Sequence, residues 1–310
     1  MTDLQIRRLD FDFDGEIPFN WNPDNPAFST YMDLVSIIAI AFETMVVAAV
    51  RQAIPLIDDP HVAEEADAFL RQEAQHSRAH RHHVRALIRQ HPGLQQTLDE
   101  AIAAFGRVTA TESLRYRLAY IADLEATFTP FFKMLLDNED TLFKPGDDRV
   151  ASLLIWHFVE EVEHRSSALI IYDAVVGSPT YRMRVLPRVC RHLLTVFTLI
   201  ADGINEHVPL AERAIDTRSI APLPIIVSSA KRRLGLLRDD DSRYAQPAFT
   251  HVPRRQKAGT VLRVLLSQTP FHNPAHEPLP ELADRWFTRH RNGDDVCHWY
   301  TTEADMTSGA

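Results

Sequence analysis

Cysteine is scarce in this 310-residue chain. Only Cys190 and Cys297 occur, and they form no CxxC pair. A disulfide framework and a thiolate zinc site are therefore not expected, and a reducing cytoplasm fits. Excess positive charge is missing too: 42 acidic residues outnumber 33 basic ones, for a formal net charge of -9. No nucleic-acid footprint is expected from that balance. The local basic clusters, Lys231–Arg238 and Arg254–Lys257, read as solvated surface; the first runs straight into Asp239, Asp240 and Asp241. The N-terminus, MTDLQIRRLDFDFDGE, lacks the apolar core of a secretory signal. No strand alternation is long enough to build a sheet.

One apolar run approaches a membrane span. Leu34–Val50 reads LVSIIAIAFETMVVAAV, about the length of the shortest spans, ~17 residues. Glu43 sits at its centre, where lipid would make it expensive. A helix buried in a protein bundle explains both the apolarity and the acid, so no integral span is expected.

What is present is helical periodicity. The first 29 residues, rich in Pro, Asn and Asp, read as an irregular arm. A bundle is expected over 30–205. Its helices are read at Thr30–Pro55, at His61–Gln90 after the Asp58-Asp59-Pro60 turn, and at Leu94–Phe105. Three more are read at Thr111–Asn138 with Thr111 as N-cap, from Asp147 or Asp148 to Val176, and at Tyr181–Asn205. Residues 206–310 read as a C-terminal extension packed on the bundle, with weak periodicity over 215–260, a last helix at Leu279–His290 and a frayed end at Thr301–Ala310.

The chemistry lies in two of these helices. QEAQHSRAH places Glu73 and His76 three apart, on one helix face, with His80 one turn on. WHFVEEVEH repeats the spacing in Glu161 and His164, with His157 four residues before Glu161. The alternate helices each offer a carboxylate in apolar surroundings, Glu43 and Glu125. Di-iron and di-manganese bundles of the ferritin-like type need this set: one Glu from each of two helices and Glu-x-x-His from each of the other two. Carboxylates offset metal charge and bridge ions; imidazoles complete shells that suit iron or manganese. The order along the chain is more specific than any single motif. The expectation is an all-α, ferritin-like four-helix bundle with additional helices and an irregular C-terminal cover. It would hold two Fe ions, or Mn, on Glu43, Glu73, His76, Glu125, His157, Glu161 and His164.

Each member has a plainer reading. Glu43 could be a core acid paired with Arg51. His157 could be a hydrogen-bond donor to a ligand. His80 is open between ligand, partner of a ligand and solvated helix end. Glu160 lies i,i+4 from His164 and competes with Glu161, which keeps the stricter spacing. Asp123 falls on another face than Glu125. Glu163, His82 and His83 read as surface, salt-bridge or supporting groups.

These residues resemble two families. Phe42-Glu43 to Arg51, Ile57–Pro60, FLRQEAQHSRAH (Phe69–His80), His157–His164 and the late PFHNP (Pro270–Pro274) resemble the bacterial helical proteins called predicted metal-dependent hydrolases. The ligand pattern, with its final His-x-x-x-Glu-x-x-His helix, is also similar to p-aminobenzoate N-oxygenase and its di-iron relatives. His80 is outside that pattern. The second resemblance implies an O2-activating oxidoreductase that takes a small organic substrate, O2 and an electron donor, for hydroxylation, N-oxygenation or desaturation. Phe42, Phe69, Phe128 and Trp156 are candidates for an apolar pocket beside it. The first implies a two-metal hydrolase with a bridging water as nucleophile. Iron binding without catalysis is a third reading. A homodimer is open, as for many helical bundles.

Overall fold

The computed structural model describes residues 4–220 and 248–301. The basic cluster at 231–238 and, beyond Thr301, the expected frayed end lie outside the described residues. Among the described residues every regular element is helical and none is a strand. In chain order the α-helices are α1 (Pro26–Ala53), α2 (Pro60–Gln90), α3 (Leu94–Thr111), α4 (Leu114–Leu136) and the short α5 (Glu139–Leu142). They continue with α6 (Asp148–Glu163), α7 (Ser167–Val175), α8 (Pro179–His207), α9 (Leu210–Arg213), α10 (Arg254–Ser267) and α11 (Glu281–Asn292).

Capping fixes where the long helices begin. Asn25 accepts the Phe28 N–H, and Pro26 follows at the first helical position, where its missing donor costs nothing. Asp59 and Pro60 repeat that arrangement for α2. Asp147 accepts the N–H groups of Arg149 and Val150 and starts α6. Several expected boundaries move, beginning with α1, which starts at Pro26 and not at Thr30. Ser113, not Thr111, caps α4, accepting the Tyr116 N–H at 3.2 Å. Thr111 instead donates back to the Arg107 carbonyl and closes α3, which runs past Phe105. The helix expected from 148 to 176 is two helices: α6 stops at His164, whose φ of -92° and ψ of 15° leave the helical region, and α7 restarts at Ser167.

Helix α1 is long and apolar enough to cross a membrane by composition, but 72% of its most apolar window is buried inside the protein. It packs along α2 and α3; α4 packs on α6, α7 and α8; α10 lies on α4. The arm before α1 is irregular but not loose. Phe11, Phe13, Ile17, Phe19 and Trp21 are all buried. Each such anchor contributes roughly 1.5–3 kcal/mol, so the arm is part of the core. Trp21 sits so close over Gly146 that a Cβ there would lie 2.5 Å from its ring, and its carbonyl accepts the Asp147 N–H. The arm is thereby tied to the start of α6. Cys190 and Cys297 are both free.

Candidate metal centre

Four helices deliver the cluster. Helix α1 brings Glu43, α2 brings Glu73, His76 and His80, α4 brings Glu125, and α6 brings His157, Glu161 and, at its C-cap, His164. None of these residues is more than 4% exposed. The break after His164 matters here. It ends α6 with the ring between Gln72 and Glu161: Nδ1 is 3.1 Å from Gln72 Oε1, and Nε2 is 3.0 Å from Glu161 Oε2.

Glu161 is the middle of the group. Its Oε1 lies 2.9 Å from His157 Nε2 and 3.6 Å from His76 Nδ1, while its Oε2 faces His164. Glu43 Oε1 is 3.4 Å from His157 Nε2. Glu73 Oε1 is 3.3 Å from His164 Nε2 and 3.9 Å from His76 Nδ1. Glu125 Oε2 stands further out, 3.8 Å from His164 Nε2. Two overlapping donor groups result, Glu43–His76–His157–Glu161 and Glu73–Glu161–His164, each with its donor atoms within 4.8 Å of one another. Glu161 belongs to both, one oxygen toward each, which is the arrangement of a carboxylate that bridges two ions.

The donors fit metal. Both oxygens of Glu73, Glu43 Oε2, Glu125 Oε1 and His76 Nδ1 are buried with no hydrogen-bond partner. An orphaned buried polar group costs about 1–3 kcal/mol, and more when charged. Burial first, then repulsion from neighbouring carboxylates, pushes Glu43, Glu73 and Glu125 well above the usual carboxylate range. Burial alone would raise Glu161 as well, but His164 and His157 pull it well below. Cations among these oxygens and ring nitrogens would relieve both the missing partners and the repulsion. The O/N set with no thiolate suits iron, manganese or zinc.

Each ring is held from behind. His76 Nε2 is 2.9 Å from Glu160 Oε2, and Arg7 from the arm donates to Glu160 Oε1 at 2.9 Å and to both oxygens of Glu163. Gln72 accepts from His164 and donates to Glu163 Oε2 at 2.7 Å. His157 Nδ1 is 2.8 Å from His80 Nε2. These outward bonds set the tautomer that leaves the inward nitrogen free for a cation. Burial also lowers His76 and His80, keeping both neutral.

Six of the seven expected residues fall in the two donor groups, and Glu125 lies outside both, 3.8 Å from His164 Nε2. His80 touches the back of His157 and is in neither donor group. Glu160 lies on the outer side with Arg7, and Glu161 holds the inner position. Arg51 is exposed and does not partner Glu43. Asp123 faces away, 3.6 Å from Arg182. His83 pairs with the buried Asp33, and His82 lines a surface pocket. Arg7 and Gln72 were the supporting residues that sequence spacing did not single out; Glu160, weighed there as a rival to Glu161, backs His76 instead. Only the chain tracing joins Arg7 to a helix 153 residues away.

Two cavities reach the cluster from different sides. A cavity of about 360 Å3 between α1, α4 and α8 is walled by Phe42, Phe128, Phe131, Phe132 and Phe197 and ends on Glu43, His157 and Glu161. Phe42 and Phe128 therefore line it. Phe69 and Trp156 instead stack edge-on against the rings of His164 and His76. A second cavity of about 330 Å3, lined by Thr44, Ser77, Arg78 and Arg81 together with Val47 and Ala74, also reaches Glu43.

Among the described residues helices alone build the fold, and a buried Glu/His cluster able to hold metal defines the site. Residues 5–250 match the family described as "Predicted metal-dependent hydrolase", and the chain belongs to that family. No curated protein and no solved structure matches it.

Proposed function

We propose that this chain is a two-metal hydrolase that cleaves an ester or amide of a small apolar compound. The observation that carries this reading is the meeting of a phenylalanine-walled cavity and an arginine-lined one at Glu43, within the Glu/His cluster of a metal-dependent hydrolase family. Glu43, Glu73, Glu125, Glu161, His76, His157 and His164 would hold the ions in a ferritin-like arrangement. Bound there, two cations would supply Lewis acidity and lower the pKa of a water toward about 7.

The chain's own residues do the rest. The phenylalanine walls take the apolar part of the substrate and exclude bulk water, which strengthens every charge interaction inside. The Thr44–Arg81 side admits water. Water adds to the carbonyl carbon, the bond to the leaving oxygen or nitrogen breaks, and the products are a carboxylic acid and an alcohol or amine. Glu43 touches both cavities, and its unpartnered Oε2 would take the water proton and return it to the leaving group.

A second reading is favoured by a specific observation. Three imidazoles and four carboxylates beside a phenylalanine-lined cavity also suit O2 activation by two irons with an external electron donor, as in the p-aminobenzoate N-oxygenase type. One experiment separates the two. Protein loaded anaerobically with Fe(II) or Mn(II) should hydrolyse p-nitrophenyl esters of medium-chain acids and show no new visible absorption when O2 is admitted. A transient visible band on O2 admission, with no ester cleavage, would overturn hydrolysis in favour of oxygenation.

A further inference from the structure

Helix α10 turns apolar side chains to water. Val261, Leu262, Leu265 and Leu266 are between 52% and 64% exposed, and Phe271 just beyond the helix is 92% exposed. Their spacing puts the four on one stripe of the helix. Soluble proteins ordinarily turn such a stripe inward, and contiguous exposed apolar surface marks a contact site. Arg254 and Arg255 are exposed and lie seven residues before Val261 and Leu262, two turns up the same stripe.

The stripe borders the phenylalanine-lined cavity. Val264 lines that cavity, and its neighbours Leu262 and Leu265 face solvent. Across from it Leu194 of α8 lines the cavity and is 37% exposed, so it forms part of the rim. Exposed apolar surface and cavity wall therefore meet at Val264. A basic and apolar stripe fits one kind of surface best: anionic headgroups against the arginines and acyl chains against the leucines. A continuous apolar path from that stripe to Glu43, His157 and Glu161 suits a chain that slides in lengthwise. The cavity volume lies in the range of small-ligand pockets, roughly 300–1,000 Å3.

We propose that α10 docks on an anionic lipid bilayer and that the cavity draws an acyl chain from it. The acyl chain as substrate rests on the cluster being the reaction site; the docking surface does not. The test uses the full chain and vesicles of phosphatidylcholine, with and without phosphatidylglycerol, floated through a density gradient. The protein should float with the anionic vesicles and be released by high salt. The double variant Leu262→Glu/Leu265→Glu should lose flotation by at least about tenfold, with far-UV circular dichroism and metal content unchanged. No flotation, or a variant that floats like the parent, overturns docking. So does a lipid-free dimer that the variant converts to monomer, because the face would then belong to a second copy. In chelator-treated protein, decanoate below its micelle concentration should bind saturably, and Val264→Trp should weaken it. Flotation without saturable decanoate binding overturns the acyl chain. Neither measurement uses turnover, so failure of the hydrolase reading is seen separately.

Discussion

His80 Nε2 stands 2.8 Å from His157 Nδ1, so one imidazole must donate to the other. Ligation through His157 Nε2 requires Nδ1–H to be the donor and His80 Nε2 the acceptor. His80 then carries its proton on Nδ1, which has no partner. His80 is thus a positioning residue. His80→Ala should weaken metal binding by about 10–100-fold while two ions still bind at saturation. Metal analysis at saturation and chelator competition check this. A saturated stoichiometry of one would mean that His80 itself is a ligand.

Glu73 offers a way to separate metal binding from folding. Both its oxygens are buried and unpartnered, and burial with neighbouring carboxylates raises its pKa well above the usual range. Its metal-free folded form holds a proton that the unfolded chain releases above about pH 4.3. That contribution to stability falls as pH rises from there toward the folded-state value. Glu73→Gln should therefore abolish most metal binding and yet raise the melting temperature of chelator-treated protein at pH 8. A large drop in that melting temperature would mean that Glu73 is a structural core residue.

Much of this centre was legible because helical spacing carries it. Three- and four-residue separations put Glu73 with His76, and His157 with Glu161 and His164, on shared faces whatever the tertiary structure does. The aspartates before α2 and α6 likewise announce themselves locally, whereas Asn25-Pro26, which starts α1, reads as part of the proline-rich arm. What stayed hidden depends on packing. The break after His164 has no proline or glycine to signal it; only Ser166-Ser167 hints at it. Arg7 sits in an arm that reads as irregular, and its value comes from Glu160 and Glu163 far along the chain. The choice between Glu160 and Glu161 needed the rotation of α6 about its axis, which a residue count gives only approximately.

Arg7 should be among the most sensitive residues outside the cluster. Its side chain is 5% exposed and pairs with the fully buried Glu160, which burial raises to about 8 even with Arg7 beside it. Arg7→Met leaves a buried carboxyl without its cation, a loss of about 3–5 kcal/mol for such pairs. Adding Glu160→Gln should recover part of that stability, because the amide needs no counter-charge. Urea unfolding of the two single variants and the double variant gives the coupling. Strict additivity would show that Arg7 acts through the Trp286 and Phe287 rings beneath it instead.

The acid limb of stability should be governed in part by His83. It is fully buried, 3.7 Å from Asp33 and 3.3 Å from the Ser36 hydroxyl, and burial lowers it to about 4. Burial also raises Asp33 well above the carboxylate range, so the two face each other neutral at intermediate pH. The sign for His83 is set by the folded state resisting a proton that the unfolded chain accepts near pH 6.5. Its contribution is full above that pH and is lost as pH falls through about 4, by roughly 3 kcal/mol in all. Asp33 works in the opposite direction, weakening the fold as pH rises above its unfolded value of about 3.9. His83→Gln removes the imidazole titration and keeps a polar group beside Ser36. Chelator-treated variant should therefore lose less stability than parent protein between pH 6.5 and 4.5, measured by urea unfolding. Parallel curves would show that His83 stays accessible to protons in the folded protein and that the acid limb belongs to the carboxylates alone.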